Sequence, residues 1–351
     1  MTGNIPAITF GMIVLNGMPF VPYNLRALYP FAHQIIVVEG ACFAAKINAT
    51  STGHSTDGTL EELRRFKAEE DPEDKLIIVT AEDEGHSDGF WPGEKDEMSQ
   101  AYARRATGDW LWQVDSDEFY LAEDMHTVCR MLSDDPTISA MTFDQITFFG
   151  SPDYWADGWH LRGGARYFHR LFRWGPGYTY AEHEPPQVLD ENRVDTRSKH
   201  WINGKQTAKM GIKMYHYALL FPSQVENKCR FYDADERYGN AERERWYNED
   251  YMQLQRPYRL YRDCYYPGWV NRFTGKTPIQ VSQMMADIKA GQYTIELRQT
   301  DDIEKLLARP TYAIGKQWLK FIRRPALYWE KKRVKLGKIK RAMGINYKFF
   351  K

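Results

Sequence analysis

From residue 1 to 150, apolar positions fall into two alternating patterns: short continuous runs, and stretches with apolar residues three or four apart. Thr9 to Leu15 reads as a buried strand closed by Asn16-Gly17, and Pro22 suits the first turn of a helix through Leu28. Gln34 to Val38 predicts a second strand, ending in Glu39-Gly40. Lys46 to His54 is polar and predicts a loop, after which Ser55 to Asp57 cap a helix carrying Leu60, Leu63 and Phe66. Leu76 to Val79 predicts a third strand, Glu94 to Ala106 a helix stopped by Gly108, and Trp110 to Val114 a strand ending at Asp115. This alternation implies right-handed βαβ units, hence an α/β fold with a mostly parallel mixed sheet flanked by helices. Ligands bind beyond the carboxyl ends of such strands, where Asn16, Glu39 and Asp115 fall.

After Ile138 the pattern becomes strand-like runs broken by Gly and Pro: Ile138 to Phe143, Arg166 to Phe172 and Lys213 to Leu219. Gln224 to Tyr238 predicts a helix. Residues 1–240 therefore read as one domain, and 241–351 as a helical, aromatic and basic extension. The formal net charge of zero hides an asymmetry, because Arg309 to Lys351 holds fourteen Lys/Arg against one acid, Glu330. The body is acidic and the tail basic. Cys42, Cys129, Cys229 and Cys264 lie too far apart for a zinc motif, and reduced thiols are expected. Met1 to Pro6 lacks a secretory signal pattern, and no run of about 18 apolar residues occurs. The expected location is cytoplasmic, either free or peripheral on the inner face of a membrane.

The sharpest chemical signal is Asp115-Ser116-Asp117-Glu118-Phe119, directly after an apolar strand. Residues two apart on an extended segment face the same way, so Asp115 and Asp117 can converge on one hard cation, Mn²⁺ or Mg²⁺. The same pair would also suit a solvated turn, but two carboxylates at the exit of a buried strand repel unless a cation is near. Upstream, Glu39 could accept from the edge of a base, and Asp57, in Ser55-Thr56-Asp57-Gly58-Thr59, could order the same pocket or simply cap a helix.

The order of these features, with Gly108-Asp109-Trp110 leading into Asp115-Ser116-Asp117-Glu118, resembles glycosyltransferase family 2 over roughly residues 7 to 120. The resemblance implies a Rossmann-like GT-A fold that binds a nucleotide-diphospho-sugar donor and a divalent metal. It implies Asn16 and Glu39 near the nucleoside, Asp57 lining that site, and Asp115 and Asp117 on metal and diphosphate. Where the family has an Arg-Asn pair on the helix before the metal motif, this chain has Ser99-Gln100. Gln100 then faces the donor, and Lys95, one turn earlier, supplies the missing positive charge.

Downstream, Ala181-Glu182-His183-Glu184-Pro185-Pro186 resembles the family's His-Glu pair near the acceptor. An inverting transfer needs a group to take the acceptor's proton. Glu184 is the candidate base, Glu182 and Asp144 are alternatives, and His183 orients that carboxylate or touches the acceptor. His216, in Met214-Tyr215-His216-Tyr217, is a further metal ligand or a core histidine. The expected activity is transfer of a hexose, with UDP as the commonest nucleotide, to a glycan or lipid-linked acceptor in bacterial-type surface glycan or lipopolysaccharide synthesis. The competing readings are a nucleotidyltransferase and an inactive module that tethers partners at a membrane. Asn16-Gly17-Met18-Pro19 is not a Gly-rich phosphate loop, and both Asp115 and Asp117 are intact, so neither is favoured. The basic, aromatic tail suits an anionic membrane surface or packing on the acidic body better than nucleic acid.

Overall fold

A computed structural model describes residues 6–93, 95–234, 242–261 and 266–342. The continuous apolar runs form the sheet's parallel half. β1 (Ile8–Val14), β2 (Gln34–Glu39), β3 (Leu76–Val79) and β4 (Trp110–Gln113) lie in the order β3-β2-β1-β4. Side chains alternate across a strand, so β2 serves two cores. Ile35 and Val37 pack beneath α1 (Phe20–Leu28) and α2 (Thr59–Glu69), through Leu25, Leu63 and Phe66. Ile36 and Val38 pack on the opposite face with Met98, Ala101 and Tyr102 of α3 (Lys95–Arg105). Gly11 in β1 permits this, because a Cβ there would lie 2.4 Å from the Tyr102 ring.

The remainder of the sheet is built around one long strand. β5 (Glu118–Phe119) and α4 (Ala122–Asp134) precede β6 (Ile138–Phe149), which β7 (Ser151–Gly158) and β8 (Tyr167–Arg173) flank antiparallel. β8 also pairs antiparallel with β4 and so joins the two halves. β9 (Thr179–His183) and β10 (Pro186–Leu189) form a separate hairpin. β11 (His200–Ile202), α5 (Gly204–Lys209) and β12 (Lys213–Leu219) follow, and β11 and β12 run parallel to successive parts of β6. α6 (Pro222–Ala234), the single turn α7 (Arg243–Arg245), β13 (Gly268–Arg272), α8 (Ile279–Lys289), α9 (Asp301–Leu307) and α10 (Pro310–Ala342) complete the described chain.

The architecture is the α/β mixed sheet flanked by helices that the pattern predicts. β6 runs beyond the predicted Phe143 because its polar residues are buried with partners rather than solvated: Asp144 meets Arg166, and Gln145 meets His216. α4 was not read from the sequence, although Met125, Val128 and Leu132 stand at helical spacing as Leu60, Leu63 and Phe66 do. The change of composition at residue 240 is not a break in packing. β13 pairs with β7, its Trp269 and Val270 share a core with Phe149 and Tyr154, and Tyr23 of α1 donates to Asp287 of α8 at 2.5 Å. Glu94, Cys264 and the end of the helix predicted through Tyr238 lie outside the described residues, while Cys42 and Cys129 are free thiols. Among the described residues no helix is long and apolar enough to cross a membrane.

Candidate active site

A cleft of about 670 Å³ opens beyond the carboxyl ends of β1 and β4, and Asn16, Asp115, Asp117, His183, Glu184 and His216 all line it. Its centre is set by one short pairing. After β4 the chain turns through Val114 to Ser116 into β5, which runs antiparallel to β12 with Glu118 opposite His216. Tyr217 N–H donates to the Asp117 carbonyl at 2.8 Å. His216 Nε2 thus lies 3.5 Å from Asp117 Oδ1. The other ring nitrogen, Nδ1, is 2.9 Å from the carboxamide oxygen of Gln145, whose amide nitrogen donates to Thr147. A carboxamide oxygen can only accept, so the network assigns the proton to Nδ1. Nε2, the ring's other nitrogen, faces Asp117.

Two side chains of α6 close on the same carboxylate. Lys228 Nζ is 2.6 Å and Gln224 Nε2 is 2.8 Å from Asp117 Oδ2. Burial acts to raise the Asp117 pKa, but Lys228 and His216 outweigh it and hold the carboxyl well below the usual range. Asp115 behaves alike, with burial opposed by Arg170, whose guanidinium donates to it at 3.0 Å. The same guanidinium donates to both oxygens of Glu118 at 2.5 and 2.9 Å. Burial nonetheless pushes the Glu118 pKa up. Asn24, buried in α1, clamps the turn by donating to the Glu118 carbonyl at 2.6 Å. Arg170, Lys228, Gln224 and Asn24 received no role from the sequence. Arg170 did carry a signal, since an Arg inside the apolar strand Tyr167 to Arg173 must find a buried partner.

The opposite wall comes from the β9–β10 hairpin. His183 N–H donates to Asp96 at 2.6 Å, and His183 Nδ1 shares a 2.7 Å hydrogen bond with the hydroxyl of Ser99. Ser99, the departure noted on α3, therefore fixes the imidazole. Glu184, just past the end of β9, is exposed and lines the cleft, whereas Glu182, two residues earlier, is exposed but is not among the residues that line it. Asp144 is removed from the candidate bases, because it is fully buried and bound by both Arg166 and Lys213. Lys95 lines the cleft with its ammonium 5.2 Å from the centre of the Phe231 ring, while Gln100 lies off the cleft.

The upstream candidates shape the wall. Asn16, at φ 56°, donates to the Asn48 carbonyl at 2.6 Å and accepts from Thr56 N–H at 2.7 Å. Glu39 is fully buried behind the cleft: one oxygen accepts from Ser55 N–H at 2.8 Å, and the other lies 2.9 Å from His54 Nδ1. With both oxygens engaged, Glu39 orders the turn at Ser55 instead of presenting itself to a base. Asp57 is exposed outside the cleft and accepts from Met18 and Thr59 N–H at 2.9 and 3.1 Å, but neither it nor Ser55 is the expected N-cap, a position that Gly58 takes without a side-chain cap.

Burial, followed by Lys95, lowers the His183 pKa to about 3, and burial, followed by Arg197, lowers His169 to about 4, from 6.5. Both rings are neutral when folded but gain protons below 6.5 when unfolded. Stability is thus fully present above pH 6.5 and falls as pH drops towards 4. His54 opposes this: burial lowers its pKa, but Glu39 and Glu82 raise it overall. The discriminating measurement is therefore the difference between the parent protein and His183→Asn. Urea midpoints at pH 7 and pH 5 are expected to lie closer together in the variant, and an unchanged gap would contradict burial of a neutral His183.

No family model matches the sequence, and no curated protein matches it. Solved structures give loose likenesses. TarS of S. aureus, residues 1–349, is 12% identical, with a TM-score of 0.37 over 71% of this chain and 70% of that chain. The mannosyltransferase PcManGT from Pyrobaculum calidifontis, in complex with GDP-Man and Mn²⁺, is 14% identical, with a TM-score of 0.36 over 93% and 88%. Glucosyl-3-phosphoglycerate synthase from Mycobacterium tuberculosis is 16% identical, with a TM-score of 0.28 over 40% and 43%. These scores are low, and the chemistry of the cleft rests on its own residues.

Proposed function

We propose that the chain is a metal-dependent glycosyltransferase that moves a hexose from a nucleotide-diphospho-sugar to an acceptor hydroxyl with inversion. The observation that carries this reading is the Asp117–His216 pair beside Asp115 at the strand ends, facing Glu184 across the cleft. The cleft volume is of the order of a small-molecule site. Among the described residues no group of three or more His, Cys, Asp or Glu is arranged to hold a metal. Asp117 and His216 do fit Mn²⁺ or Mg²⁺ as a two-ligand site, because such ions take their remaining positions from phosphate oxygens and water. The His216 Nδ1 hydrogen bond to Gln145 supports this, since ligating imidazoles donate their other N–H in the same way. A bound divalent ion would supply charge neutralisation at the departing diphosphate.

The chain's own residues do the rest. Asp115, held by Arg170, contacts ribose or metal. Lys228 leaves Asp117 for a diphosphate oxygen when donor and cation enter, and Lys95 adds positive charge on that wall. Glu184 takes the acceptor proton while the hydroxyl oxygen attacks the anomeric carbon. The bond from that carbon to the diphosphate breaks, and its electron pair leaves with the nucleoside diphosphate. His183, neutral and fixed by Ser99, positions the acceptor beside Glu184.

Donor identity and the reading itself are tested together by binding and slow hydrolysis of a nucleotide-sugar panel, UDP-sugars first, with Mn²⁺ and with EDTA. Metal-dependent hydrolysis of one donor supports the transferase. Metal loading with no nucleotide-sugar bound would leave the inactive tethering module, and nucleotidyl transfer from a nucleoside triphosphate would replace the reading with the nucleotidyltransferase. A glycan or lipid-linked acceptor of surface glycan or lipopolysaccharide synthesis is the class to supply next. Lys228→Met is expected to tighten Mn²⁺ binding to the donor-free protein severalfold, by removing a competing cation, and to weaken nucleoside diphosphate binding about tenfold. Calorimetry reads both, and weakening of both would show Lys228 to be a structural partner of Asp117.

A further inference from the structure

α10 has two apolar faces. Tyr312, Leu319 and Ile322 turn inward and join the core that holds Trp269 and Val270. Ile314, Trp318 and Phe321 turn outward at 68%, 60% and 82% exposure and form one shallow patch with Ala313 and Gln317. Their spacing of four and then three residues puts them on a single stripe, which exposed Tyr328 extends two turns further. A stripe of large apolar side chains in water marks an interaction surface. Its charge setting identifies the partner. Arg324 is exposed in the same region, and residues 329–351 contain nine Lys/Arg against the single acid Glu330.

We propose that α10 is an interfacial helix that docks on an anionic lipid bilayer, lying in the plane of the surface. Ile314, Trp318 and Phe321 enter the acyl boundary, and the basic residues meet the headgroups. Trp and Phe suit that depth, Trp because its ring is apolar while its indole N–H still reaches water. Nucleic acid would answer the positive charge but would leave the apolar stripe in water. A second copy of the chain would answer the stripe but would bring an equally basic tail against this one. An anionic bilayer satisfies both features. The inference goes beyond the transferase reading and does not depend on it.

The test is flotation of the full chain with vesicles of phosphatidylcholine alone and of phosphatidylcholine mixed with phosphatidylglycerol, at low and high salt. Binding is expected with the mixed vesicles, weakening with salt, and falling at least about tenfold in the Ile314→Ser, Trp318→Ser, Phe321→Ser variant. These side chains are exposed, so the variant should keep the parent's circular dichroism and unfolding midpoint. The proposal is overturned by no binding, by equal binding to both vesicles, or by anionic binding that the triple variant retains in full. It is also overturned if the parent is a dimer that the variant splits with no lipid bound. No nucleotide-sugar enters this measurement, so its failure leaves the donor reading intact.

Discussion

Asp117→Ala is expected to lower metal-dependent donor hydrolysis by roughly 10²–10³-fold while leaving the protein folded. Among the described residues Asp117 is the one carboxylate that meets both His216 Nε2 and Lys228. Without it His216 is a lone ligand, and a hard cation loses its only anionic protein oxygen in that pair. The turn itself should persist, because backbone groups hold it: Tyr217 N–H to the Asp117 carbonyl, and Asn24 to the carbonyls of Ser116 and Glu118. Lys228 is partly exposed and can return to water. The checks are hydrolysis rate, Mn²⁺ affinity and unfolding midpoint on one preparation. Retained metal-dependent hydrolysis would remove Asp117 from the site, and a lost fold would make its role structural.

Arg170→Met is expected to destabilise the protein by about 3–5 kcal/mol, the cost typical of stranding a buried charge. Arg170 is 5% exposed and faces Glu118, which is fully buried. Met fills a similar volume but donates nothing, so Glu118 must either protonate or stay charged without a partner. Asp115 loses its cation at the same time, so donor binding should weaken as well. Adding Glu118→Gln to Arg170→Met removes the stranded charge and should restore part of the stability while activity stays low. Urea unfolding of both variants reads the difference. A loss below about 1 kcal/mol in Arg170→Met, the scale of an exposed pair, would mean that the triad is solvated.

The two variants probe different kinds of information. The apolar runs before Asn16, Glu39 and Asp115 were legible in the sequence because burial on both faces leaves a continuous apolar signature in contiguous residues. The position of Asp115 and Asp117 at a strand exit followed from the same local fact. Glu184 and His183 were legible as a pair, but their surroundings were not. Sequence periodicity shows which face a side chain takes, not which distant residue meets it there.

The sequence by itself therefore determined the α/β alternation, the strand ends that border the cleft, the acidic pair, and the basic stretch of α10. Each of these is written in neighbouring residues through burial, strand geometry or charge density. The tertiary structure alone decided that β5 pairs with β12, which sets His216 beside Asp117. It also decided that Arg170 meets Asp115 and Glu118, that Arg166 and Lys213 consume Asp144, and that His54 and Ser55 occupy Glu39. These outcomes depend on register between segments far apart in the chain. A buried charge states that it needs a partner, but only the packed fold supplies which one.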